Sequence, residues 1–103
     1  MQGGDFMNTF AETELLIKTA INLSDNSVKQ IAAASGIKPS TLYKFHSSKV
    51  HLSPAKSDAL LLYFAEKEPK AIVAAALLNY VLELLYVYLS SSTEEEVAKE
   101  EVN

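Results

Sequence analysis

Val28-Lys29-Gln30-Ile31-Ala32-Ala33-Ala34-Ser35-Gly36-Ile37-Lys38-Pro39-Ser40-Thr41-Leu42-Tyr43-Lys44-Phe45 is the stretch that decides the fold. Ser27 precedes it as a helix cap, and Gln30 sits three residues on, where a capping box needs it. The helix begun there should run over Val28–Ser35 and stop at Gly36, the residue best able to take a left-handed conformation. Ile37 and Lys38 bridge to Pro39, which suits the first turn of another helix, Pro39–His46. Two short helices joined by a tight turn follow. Ile31, Ile37, Leu42 and Phe45 fall on the inner side, and Ala32 is small where the helices would cross. Ser40, Thr41, Tyr43 and Lys44 are left to face outward.

Outward from this pair the chain reads as helix on both sides, with no strand alternation. Thr9 with Glu12 predicts the start of a first helix, which ends at the turn cluster Ser24-Asp25-Asn26. His46-Ser47-Ser48-Lys49 reads as a loop. Ser53 and Pro54 open a fourth helix ending near Glu68, and Pro69 opens a fifth reaching about Leu89, where Ser90-Ser91-Ser92 should break it. The expected fold is all-α: a five-helix bundle containing a helix-turn-helix, plus a long apolar C-terminal helix. Four regions are expected. Residues 1–8 are a disordered or expression-derived N-terminus, with Met7 a possible natural start. Residues 9–68 are the helix-turn-helix domain, 69–90 a packing or dimerisation helix, and 91–103 an acidic tail of solvated character.

The stretch from Ser27 to about Phe64 resembles the helix-turn-helix of the phage repressor/Cro (XRE) family, with its lambda-repressor-like fold. The resemblance includes the loop Ser47-Ser48-Lys49 and the closing helix around Leu52–Leu60. It implies a helix that enters the major groove with its N-terminal residues at base edges. Pro39, Ser40, Thr41, Tyr43 and Lys44 would then face DNA, with Lys38, Lys44 and Lys49 on phosphates and His46 a polar contact. Val28 stands where the family often has glutamine, and Lys38 where the cap is commonly Ser or Thr. Leu42–Lys49 is also similar to the recognition-helix signature of TetR-type repressors, which implies the same activity.

Charge supports a local basic face. Over residues 24–57 five lysines stand against one aspartate, a net +4, although the whole chain carries -4. Both flanks are acidic and arginine is absent. Lysine binds phosphate as a point charge but lacks the fork that reads guanine bidentately. With no cysteine in the chain, disulfides, thiolate metal sites and cysteine nucleophiles are excluded, and a reducing cytoplasm fits. His46 and His51 are five apart, which does not pair two imidazoles on one helix face. No catalytic, metal, cofactor or small-molecule motif is present.

Ala71–Leu89 is almost wholly apolar and must find cover on nearly every side. Leu77, Leu78, Val81, Leu84, Leu85 and Tyr88 are the expected dimer surface, since two-fold dimers are the commonest oligomers. A membrane span is the competing reading, weighed down by Glu83 in its interior and by few flanking lysines. The sequence thus predicts a non-enzymatic, homodimeric regulator that binds double-stranded DNA. A protein-binding adaptor or antirepressor on the same scaffold, and a membrane-anchored regulator, are the alternatives.

Overall fold

Among the described residues five helices follow one another: α1 (Gly3–Leu23), α2 (Val28–Ser35), α3 (Pro39–His46), α4 (Pro54–Lys67) and α5 (Pro69–Val102). The computed structural model describes the backbone of residues 3–102 and the side chains of residues 11–91, and no strand occurs among the described residues. Local chemistry sets most boundaries. Ser27 Oγ accepts from the Gln30 N–H at 3.1 Å while Gln30 Oε1 accepts from the Ser27 N–H at 2.8 Å, a closed capping box. Gly36 ends α2 with φ 75°, and the Ile37 N–H reaches back to Ala32 O at 3.0 Å. Ser53 Oγ accepts from the Lys56 N–H at 3.3 Å ahead of Pro54.

Two boundaries differ from expectation. α1 begins at Gly3, so Thr9 lies inside the helix and not at its start. α5 runs without a break through Ser90–Ser92 to Val102, so the acidic segment continues the helix. Serine costs roughly half a kcal/mol in a helix interior, which interrupts nothing once an established helix is propagating.

The core gathers Ile17, Ala20 and Ile21 from α1, Ile31 and Ala32 from α2, Leu42 and Phe45 from α3, and Leu60 and Phe64 from α4. Among the described residues α5 contributes only Ala71 and Ala75, with Ile72 partly covered. α1 and α5 lie side by side in opposite directions: Leu23 shares a groove with Ala71 and Ala74, and Glu12 shares another with Leu82 and Glu83. From Tyr80 to Ser91 every residue of α5 is exposed. The helix projects from the globule, and the radius of gyration, 17.5 Å, exceeds the value of about 13 Å for a compact domain of this size.

Polar links tie distant parts of the globule together. Glu14 is buried, and its carboxylate takes the Leu52 N–H at 3.2 Å and lies 2.8 Å from His51 Nδ1. Glu68, at the joint between α4 and α5, accepts from Tyr63 Oη at 2.5 Å, from Ser24 Oγ at 2.7 Å on both oxygens, and from the Asp25 N–H at 3.3 Å. Burial works to raise the Glu68 carboxyl, yet the hydrogen bonds from Tyr63, Ser24, Asn26 and the Asp25 amide together hold it below its usual range. Burial, and then the bond to Glu68, push the Tyr63 phenol up.

Candidate nucleic-acid interface

α3 is only eight residues long, and its two faces are sharply divided. Leu42 and Phe45 are fully buried, whereas Pro39, Ser40, Tyr43 and Lys44 are exposed, Tyr43 by 50%. The division follows from helical spacing. Positions 42 and 45 are three apart and stack on one side, while 40, 43 and 44 share the other. Burial of the inner pair anchors the outer one. A large-to-alanine change at a core aromatic costs about 3–5 kcal/mol, so Phe45 fixes α3 firmly to the globule.

Both ends of α3 are shaped for exposure. At its start Lys38 occupies the cap position in extended conformation, with no side-chain bond to the helix. The first intrahelical bond runs from the Leu42 N–H to Lys38 O at 3.1 Å, so the amides of Ser40 and Thr41 precede the helical ladder. Such donors, with the positive end of the helix dipole, favour an anion. At its end Ser48 adopts φ 64° and closes the helix: its N–H reaches Phe45 O at 2.9 Å, and the Lys49 N–H reaches Lys44 O at 2.8 Å. This is the Schellman pattern with serine in the place usually held by glycine. It turns the chain so that Lys49 stands exposed directly after α3.

The expected site residues therefore divide. Lys38, Pro39, Ser40, Tyr43, Lys44 and Lys49 are all exposed on α3 or at its ends. Thr41 is half-buried, at the edge of the face. His46 is drawn inward, its Nε2 lying 2.6 Å from Asn22 Oδ1 of α1. Its ring thus braces α3 against α1. Lys18 adds a second brace, with Nζ 2.9 Å from Ser48 Oγ and 5.1 Å from the centre of the Phe45 ring. Sequence reading missed both contacts, because neither Asn22 nor Lys18 carries a local signal for a partner that far along the chain.

The six expected dimer residues, Leu77, Leu78, Val81, Leu84, Leu85 and Tyr88, are all exposed, from 43% at Leu78 to 68% at Tyr88. The segment Pro69–Ser91, 23 residues of mean hydropathy 1.9, is long and apolar enough to cross a membrane, and 6% of it is buried in the globule. No group of three or more His, Cys, Asp or Glu that could hold a metal occurs among the described residues. Comparison with protein-family models, with curated proteins and with solved structures finds no match to this chain.

Proposed function

We propose that the chain is a sequence-specific DNA-binding transcriptional regulator, acting as a homodimer, whose α2–turn–α3 unit is a helix-turn-helix with α3 as the reading helix. The observation that carries this reading is the outward face of α3: Ser40, Tyr43 and Lys44 exposed, with Leu42 and Phe45 anchored beneath them. The net +4 of residues 24–57 and the uncapped first turn support the same reading, because both favour a phosphate backbone. On this reading Lys38, Lys44 and Lys49 contact phosphates, while Ser40 and Tyr43 meet base edges.

Selection of bound duplex from a random pool, followed by salt titration of a mobility shift, tests the proposal. Binding should fall steeply with salt as counterions are released. Lys44→Glu should weaken binding to all sequences alike and lower the salt slope by at least about 1, whereas Tyr43→Ala should change which sequences are selected. Absence of duplex binding at low salt would overturn it. The acidic flanks and the lack of arginine favour a second reading, a protein-binding adaptor on the same scaffold. Capture of a regulator protein together with an absent mobility shift would select that one.

A further inference from the structure

We propose that the projecting part of α5 pairs with α5 of a second copy of this chain in antiparallel orientation; the pairing rests on the homodimer reading above but not on DNA binding. Ala74, Leu77, Val81, Leu84 and Tyr88 recur at alternating spacings of three and four, the repeat of a two-helix seam. At about 100° per residue Leu77, Val81, Leu84 and Tyr88 fall on the side of α5 away from Ala71, Ala75 and Asn79, while Ala74 lies at the edge beside Leu23 of α1. Ala71, Ala75 and Asn79 face the globule: the first two are buried, and Asn79 Oδ1 accepts from Thr19 Oγ1 at 3.3 Å. From Leu77 onward the seam is therefore uncovered, with Leu77 61% and Leu84 51% exposed.

Charge chooses the direction. Lys70 lies at the start of the seam, and Glu94, Glu95, Glu96, Glu100 and Glu101 follow its end on the same helix. A parallel pair would set ten glutamates side by side, twice the five of one chain, against two copies of Lys99. In an antiparallel pair whose layers are Leu77 with Tyr88 and Val81 with Leu84, Lys70 of one copy falls level with Glu95 of the other. Helix dipoles then also oppose favourably.

A lipid bilayer suits this helix less well. Ala71 and Ala75 belong to the core shared with α1 and α4, so seating residues 69–91 in lipid would break the globule or drag Glu14 and Lys18 in with it.

The absence of cysteine makes the test clean. Leu77→Cys and Tyr88→Cys lie at exposed positions, so both variants should keep the fold, which circular dichroism checks. Sedimentation of the intact chain in detergent-free buffer should give twice the chain mass. On oxidation, a mixture of the two variants should yield the 77–88 cross-linked dimer, and each variant alone should yield little. In the antiparallel pair, identical positions sit about 16 Å apart along the axis, beyond the roughly 7 Å a disulfide bridges between Cα atoms. Self-cross-linking of each variant alone, a monomer, or co-flotation with phosphatidylcholine–phosphatidylglycerol vesicles would each overturn the pairing. A monomer that still binds duplex DNA would sink the pairing and leave α3 as the reading helix; a cross-linked dimer without DNA binding would do the reverse.

Discussion

Gly36 and Ser48 hold left-handed backbone at the turns that bracket α3, with φ 75° and 64°. Their roles differ. An added Cβ at Gly36 would meet nothing within 4 Å, so the cost of a larger residue there is conformational alone. Gly36→Ala should therefore lower stability by about 1–2 kcal/mol, read by urea denaturation, without changing the core. Ser48 already bears that kind of cost and recovers part of it by accepting a hydrogen bond from Lys18. On the proposed function, both turns matter because together they set the angle at which Tyr43 and Lys44 leave the surface.

Between elements, one carboxylate joins the α1–α2 turn to the α4–α5 joint. Glu68 binds Ser24 and the Asp25 amide on one side and Tyr63 on the other. Because its folded value lies below the usual one, its contribution is present above the ordinary carboxyl range and is lost as pH falls through the lowered value. Stability measured by denaturant between about pH 5 and pH 2 should therefore decline, and Glu68→Gln should flatten that decline. Tyr63 adds the opposite limb: its raised phenol favours the fold below about pH 10 and ceases to do so as pH climbs through the raised value. Within α2, Ser27→Ala removes half of the capping box and should cost about 1 kcal/mol by the same denaturation assay.

For the molecule as a whole, the globule and the projecting α5 present different chemistry. One offers a basic, polar face at α3; the other offers large apolar side chains on every side. If α5 pairs as proposed, folding and association are linked, so the melting temperature should rise with protein concentration. Calorimetry over a wide dilution series checks this, and a concentration-independent midpoint would count against association. The same linkage makes truncation of α5 a poor probe of α3, since Ala71 and Ala75 are part of the common core.

Caps and turns act over one helical turn, and so the bounds of α2 and α3 follow from Ser27, Gln30, Gly36 and Pro39 without any knowledge of the rest. Within α3 the inward pair Leu42 and Phe45 follows equally from helical period. Contacts between residues far apart in the chain have no such local trace. Asn22 with His46, Glu14 with His51, and Ser24 with Glu68 span 24, 37 and 44 positions, and only folding brings them together. That His46 turns inward while Tyr43 stays out, and that α5 buries Ala71 and Ala75 yet leaves its apolar seam bare, were likewise decided by tertiary structure. The reason is that burial depends on which surfaces meet, whereas helix formation depends mainly on neighbours along the chain.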